Sequence, residues 1–299
     1  MTDTDTPESV IVGVDGSKNA LDAARWAAEV ADRFGLPLRI VDAVPDLRDY
    51  YPAKVAADRE TALAALAQAA LNDAQDAVRA DFGTLPIEMT AVRCRDKTVS
   101  DTLVALSPQA RFFVVGCEDV SPAGALFVDS ETLRLTTHAA CPVIAWRGDV
   151  ARPDTRPILL GVDGVNGAPI ALAFEFAHRF NAPLVAARAW SMLRQPGDVT
   201  NPLLLDWDVL ENDQQRIVGE ALAPWRRRYP TVEVTTVAEA ARPSRLLMQH
   251  ARDAQLVVVG RSRRGLMARV LLGSTTLNLL HHSPTPVMVC PHEKSRPSC

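Results

Sequence analysis

The second half of the chain alternates short apolar runs with amphipathic stretches. Ile158 to Asp163 begins as an unbroken apolar run, the pattern of a strand buried on both faces. Ala168 to Phe180 follows, with Ile170, Leu172, Ala173, Phe176, Ala177 and Phe180 at helical spacing. Leu184 to Trp190 reads as the next strand, and an irregular stretch to about Leu205 leads into a long helix, Trp207 to Arg228. Val232 to Val237, Arg242 to Ala251, Gln255 to Gly260, Ser274 to His282 and Pro286 to Cys290 continue the strand–helix alternation. The first half runs the same way from Val10 to Trp146. This alternation predicts an α/β fold, with a five-stranded parallel sheet in each half and helices on both faces.

The halves are copies of one another. Val10-Ile-Val-Gly-Val-Asp-Gly16 returns as Ile158-Leu-Leu-Gly-Val-Asp-Gly164, and Phe112-Phe-Val-Val-Gly116 returns as Leu256-Val-Val-Val-Gly260. Arg33-Phe34 with Pro37-Leu38 matches Arg179-Phe180 with Pro183-Leu184, and Cys141-Pro142-Val143 matches Thr285-Pro286-Val287. Matches in one order at nearly constant offset mean a duplicated domain. The polar stretch Arg147 to Pro157, holding Gly148, Pro153 and Pro157, reads as the linker, so the domains are taken as 1–150 and 151–299. A length of 299 residues agrees with two domains of ordinary size.

Composition narrows the function classes. Hydrophobic residues make up 47% and charged residues 23%, the balance of a globular protein. The net charge of −4 gives no basic footprint for nucleic acid, and the apolar runs are too short to span a membrane. Neither nucleic acid nor membrane is therefore expected as a partner. Met1 to Ser9 is acidic and polar, unlike a signal peptide, and the five cysteines are odd in number and widely spaced. A reduced, cytoplasmic setting is the expectation. No Gly-x-Ser-x-Gly elbow, His-Glu-x-x-His helix or Walker-type loop occurs, so a binding role is favoured over an enzyme. His281 and His282 are neighbours on one helix and point in different directions, which disfavours a shared metal. Cys117, after the fourth strand, is read as a partly exposed thiol beside Glu118 and Asp119.

In a parallel sheet of this kind, ligands bind beyond the carboxyl ends of the strands. Two segments of the second half end their strands suitably. Gly161-Val162-Asp163-Gly164 places a carboxylate at a strand tip, where it can accept hydrogen bonds from ribose hydroxyls or an adenine amine. The simpler reading is that Asp163 begins a turn with Gly164 and caps the next helix. Gly260 opens into a loop holding Arg261, Arg263, Arg264, Gly265 and Arg269, which ends at Gly273-Ser274-Thr275 and a helix N-terminus. A glycine-rich loop before a helix presents unpaired N–H groups to an anion, and the arginines add positive charge.

These features together resemble the universal stress protein family, in the tandem two-domain form common in actinobacteria. The resemblance rests on Val-Gly-Val-Asp-Gly, the Val-Val-Val-Gly strand, the pattern Gly-x2-Gly-x9-Gly-(Ser/Thr) and the closing Pro-Val strand, and covers almost all of residues 9 to 291. It implies Rossmann-like domains that bind ATP in many members, with Mg2+ as a candidate companion ion, and that pair through their last strands. Pseudo-symmetric pairing of the two halves is thus expected, with a homodimer as a further candidate assembly. By this resemblance Asp163 is the ribose- and adenine-side aspartate, Ala189 a backbone contact to adenine, and Gly260, Gly273 and Ser274 phosphate-loop positions, with Thr275 beside them. The resemblance also implies a stress or growth regulator. An interaction module without nucleotide is the alternative, and a slow ATPase ranks last.

Two departures matter. Arg263 stands where the second loop glycine is expected, which costs about 1–2 kcal/mol if that residue has positive φ. Its guanidinium offsets part of this if it bonds a phosphate, and Gly265 offers another register. In the first half Asp15, Gly116 and Ser130 survive, but Asp119 and Asp129 replace both later glycines. Two unit charges about 4 Å apart at an effective dielectric of about 20 repel by about 4 kcal/mol, so this loop is expected to be degenerate as an ATP site.

Overall fold

The continuous apolar runs become strands, and each repeat of runs builds five parallel strands. In this computed structural model the described residues are 8–48, 51–95, 97–117, 130–148, 152–163, 167–190, 207–261 and 272–291. They fall into two units, one within Met1–Pro153 and one within Asp154–Arg264 and Leu272–Cys299.

The first unit runs β1 (Ser9–Gly13), α1 (Lys18–Phe34), β2 (Leu38–Pro45), α2 (Ala53–Arg79), β3 (Ile87–Cys94), α3 (Val99–Leu106), β4 (Ala110–Gly116), α4 (Ser130–His138) and β5 (Val143–Trp146). Its strands lie in the order β3-β2-β1-β4-β5, all parallel. The chain steps outward from β1 to β3 and then crosses to β4. The order therefore reverses between β1 and β4, and a crevice opens at their carboxyl ends. Val10, Ile11 and Val12 of β1 and Phe112, Phe113 and Val114 of β4 are fully buried. Helices α1 and α2 pack together on one face, α3 and α4 on the other. On the α1 face, Phe34 meets Phe112 edge to face with ring centroids 5.0 Å apart. On the α3 and α4 face, Ile11, Val41 and Phe113 join Leu103 and Leu135 in one core.

Local chemistry sets the ends of α1. Ser17 accepts a hydrogen bond from Ala20 N at 3.2 Å, and its buried face is mostly alanine, which lets the helix lie close to the sheet. Gly35 closes the helix in the left-handed region at φ 67°, with its N–H bonded to Asp32 O. A Cβ added there meets nothing within 4 Å, so Gly35→Ala tests backbone strain alone. It is expected to cost about 1–2 kcal/mol and to lower Tm by roughly 2–8 °C in a thermal melt.

The second unit repeats this path with β6 (Ile158–Gly161), α5 (Gly167–Phe180), β7 (Leu184–Trp190), α6 (Trp207–Arg228), β8 (Val234–Ala240), α7 (Pro243–Ala251), β9 (Leu256–Gly260), α8 (Ser274–His282) and β10 (Val287–Cys290). Its strand order is β10-β9-β6-β7-β8, again parallel throughout. The pattern-based spans for β7, α6 and α8 coincide with these elements. The β8 span differs: the strand continues to Ala240 because it pairs with β7 from Leu184↔Val234 to Trp190↔Ala240. Arg242 lies outside α7 as its N-cap, because Pro243 has no N–H to donate and suits the first helical position. Residues 191–206, read from sequence as irregular, lie outside the described residues. Among the described residues no helix is long and apolar enough to cross a membrane.

Candidate functional site

The crevice of the first unit is a cleft of about 380 Å³ at the carboxyl ends of β1, β2 and β4. Asp15, just past β1, accepts the Ser17 N–H at 2.9 Å, so part of its role is the turn into α1. Gly116, at the end of β4, packs against the first turn of α1. A Cβ there would stand 2.7 Å from Asn19 O. Asn19 in turn donates from Nδ2 to Cys117 O at 2.9 Å. Cys117 corrects the sequence reading of a partly exposed thiol: it is buried, with Sγ 3.8 Å from Thr132 Oγ1 under the first turn of α4. Ser130 opens α4.

Asp42, on β2, is a cleft residue that pattern reasoning missed. Its half-buried carboxyl is pushed up to about 6, first by burial and then by the charge of Asp15. It accepts no hydrogen bond among the described residues. An acidic residue inside the mostly apolar run Leu38 to Val44 was the available signal. A raised carboxyl pKa destabilises the fold once the group ionises. The penalty is absent below the unfolded value of 3.8, grows as pH rises through about 6, and is complete above it. Discounted because the group is half solvated, it is worth on the order of 1 kcal/mol. Asp42→Asn is therefore expected to melt about 2–4 °C above the parent at neutral pH, with the gap closing near pH 4 in scanning calorimetry.

In the second unit, Asp163 is exposed just past β6, and the preceding Val162 N–H bonds Ala187 O at 2.9 Å, which ties this strand tip to β7. Ala189 is near the end of β7, opposite Glu239 of β8. Gly161, at the end of β6, faces Leu247 and Val259, whose nearest side-chain atoms lie 3.1 and 3.2 Å from an added Cβ. Gly260 ends β9 opposite Cys290. Gly273 is the N-cap of α8 with an extended backbone (φ −65°, ψ 153°) and provides no side-chain cap; Ser274 is exposed and Thr275 half-buried behind it. Asp163, Ala189, Gly260 and Gly273 to Thr275 thus share the carboxyl-end side of one sheet. Gly164, Arg263, Arg264, Gly265 and Arg269 lie outside the described residues, as do Glu118, Asp119 and Asp129.

Arg261 differs from the loop cation suggested by the sequence. It is 8% exposed, and its N–H bonds Cys290 O at 2.9 Å, so the chain continues beside β10 for one residue before leaving the sheet. Burial pushes the Cys290 thiol well above the ordinary range, and the nearby guanidinium offsets this in part. His281 is partly buried and His282 exposed, with their ring centroids 5.8 Å apart.

The duplicated register allows the strand ends of the two units to be compared position by position. Gly13 pairs with Val41, and Gly161 with Ala187, so the next residues, Asp42 and Arg188, occupy equivalent places. Arg188 donates from Nε to Gln214 Oε1 of α6 at 2.8 Å. Glu131, second in α4, corresponds to Thr275, second in α8. The first unit's cleft thus carries three carboxylates, Asp15, Asp42 and Glu131, where the equivalent positions of the second unit are Asp163, Arg188 and Thr275.

Comparison with known proteins agrees with the duplication. The model of the universal stress protein family matches residues 7–147 and again 154–291. A universal stress protein of Mycobacterium tuberculosis is 33% identical over 297 residues, covering 94% of this chain and 95% of the relative. One from Mycolicibacterium smegmatis is 32% identical over 294 residues, covering 97% and 99%. Among solved structures, a universal stress protein from Archaeoglobus fulgidus matches with a TM-score of 0.70 over 95% of this chain and 98% of that one, at 15% identity, a likeness of fold.

Proposed function

The chain belongs to the universal stress protein family, as a tandem of two family domains, and from that premise we propose that it is an ATP-binding regulator whose second unit holds the nucleotide. The observation that carries this reading is the start of α8. Gly273 supplies no side chain to its cap, whereas Ser17 and Thr98 cap α1 and α3. The first N–H groups of α8 are thereby offered to an anion at the positive end of a helix. Ser274 adds a hydroxyl donor, and Asp163 and Ala189 stand at neighbouring strand ends for the ribose and base. Mg2+ would accompany the triphosphate as its counter-ion. The described residues fit a bound nucleotide and offer no evident general base beside it, so binding rather than hydrolysis is the assigned role.

The first unit supports a different reading of its own cleft. Asp42 and Glu131, carboxylates where the second unit has an arginine and a threonine, oppose a triphosphate in this crevice, so a single nucleotide per chain is expected. The test uses the intact, freshly purified chain. Nucleotide released on denaturation is identified by mass spectrometry, and the apo chain is melted with and without ATP. At a concentration near 100 Kd, binding stabilises the native state by about 2.7 kcal/mol, which a melt reads directly. No released nucleotide together with no ATP-dependent rise in Tm would leave the interaction-module reading in its place.

A further inference from the structure

The first-unit cleft is a formed cavity with apolar walls, and its contents call for a ligand other than a nucleotide. Leu63 and Leu66 of α2 and Val99 and Leu103 of α3 line its sides. Leu66 is 66% exposed at the rim, an uncovered apolar side chain next to a concave surface. Among the described residues, the charged groups that line the cleft are all acidic. They are Asp15 beyond β1, Asp42 on β2 and Glu131 on α4, and no lysine or arginine is among the described lining residues. In the neighbouring cavity the carboxylates have cationic partners. There Arg48 pairs with Asp46, and Arg93 lies 3.3 Å from Glu60. Among the described residues Asp42 has no such partner.

We propose that this cleft binds a small organic cation, a protonated amine carried on a compact apolar body. A cavity of about 380 Å³ accommodates a ring or short branched chain of this kind against the leucines, while the ammonium group lies among the carboxylates. The ammonium removes the like-charge conflict between Asp42 and Asp15 and hydrogen-bonds Asp42, a carboxylate with no partner among the described residues. A divalent metal fits the walls poorly, because a hard cation seeks six or more oxygen ligands and most of this cleft is aliphatic. The proposal goes beyond the nucleotide reading and stands independently of it, since it concerns the other unit.

The intact chain is titrated by calorimetry, with NMR shifts as a second readout, using cyclohexylamine, cyclohexanol and cyclohexanecarboxylate as probes of one shape and three charges. The amine is expected to bind at least about tenfold more tightly than the alcohol, and the carboxylate not measurably. Asp42→Asn is expected to weaken the amine about tenfold without affecting the alcohol, and Asp42→Arg, which installs the residue of the second unit, to abolish amine binding. Leu66→Gln, at an exposed position that tolerates the change, is expected to weaken amine and alcohol alike. The melting curve of each variant reports whether it is folded. Equal affinity for amine and alcohol, no effect of Asp42→Asn in a folded variant, displacement of the amine by Mg2+ or Ca2+, or ATP competing for this cleft would each overturn the proposal. Loss of ATP binding in the second unit alone would leave it intact.

Discussion

Gly273→Asp is expected to abolish ATP binding by the second unit while leaving that unit as stable as before, or slightly more so. The backbone at Gly273 is extended, φ −65° and ψ 153°, a conformation any residue adopts, so the substitution introduces no strain. Aspartate is also a better N-cap than glycine, by a few tenths of a kcal/mol, because its carboxylate accepts the N–H groups that open α8. Those are the groups proposed to hold phosphate. An aspartate there both occupies them and repels the incoming charge by about 4 kcal/mol at about 4 Å, close to a thousandfold in affinity. Asp163→Ala is expected to remove most binding from the base and ribose side, whereas Asp15→Ala in the first unit changes it little. Calorimetry on the intact chain gives affinity and stoichiometry together, and a thermal melt gives stability. One nucleotide per parent chain, none for Gly273→Asp and an unchanged or higher Tm is the expected set. Two equivalent nucleotides per chain, or a Gly273→Asp chain that binds normally, would contradict the assignment.

The strands were legible because a parallel sheet covered on both faces demands unbroken apolar runs, and β6, β9 and β10 are written that way. The duplication was legible for the same reason, since the runs of β1 and β4 recur in β6 and β9 with their closing glycines. Charge inside the cleft was harder to see. Asp42 follows Val41 in a strand whose charge is legible but whose surroundings are not, and only the register with β1 puts its carboxyl near Asp15. Arg261 illustrates the converse: it belongs by sequence to a basic loop, yet pairing of its N–H with Cys290 O keeps it buried beside the sheet. No periodicity announces where a chain leaves a sheet, because the last ladder bond depends on the partner strand. Arg188 shows how the repeat could have helped. Placing the two halves in register sets an arginine opposite Asp42, a charge reversal visible in the sequence once the strand pairing is known.

Gly116→Ala is expected to be among the most damaging single-methyl additions in the first unit, for a reason unrelated to ligand. The new Cβ would stand 2.7 Å from Asn19 O, 2.8 Å from Asn19 C and 2.9 Å from Ala20 N, all backbone atoms of the first turn of α1. Side chains can rotate away from such a contact, but this turn cannot move without loss. Ser17 holds it through the cap to Ala20 N, and Asn19 Nδ2 holds it to Cys117 O at 2.9 Å. Overpacking against fixed backbone costs about 3 kcal/mol, the upper part of the usual range, and roughly 6–12 °C in Tm. Gly13, at the end of the adjacent strand, provides the control. Its added Cβ meets Val115 Cγ1 at 3.5 Å, an ordinary contact, so Gly13→Ala is expected to change Tm by only a few degrees. The pair separates two explanations of a glycine at the end of β4, which a phosphate-loop reading and a helix-packing reading explain equally well from sequence. A large loss of Tm for Gly116→Ala in the ligand-free chain means that close approach of α1 alone requires the glycine. Its persistence in a cleft lined by three carboxylates then needs no nucleotide. A Gly116→Ala chain as stable as the parent would instead mean that the turn yields, and that the glycine serves what binds in the cleft.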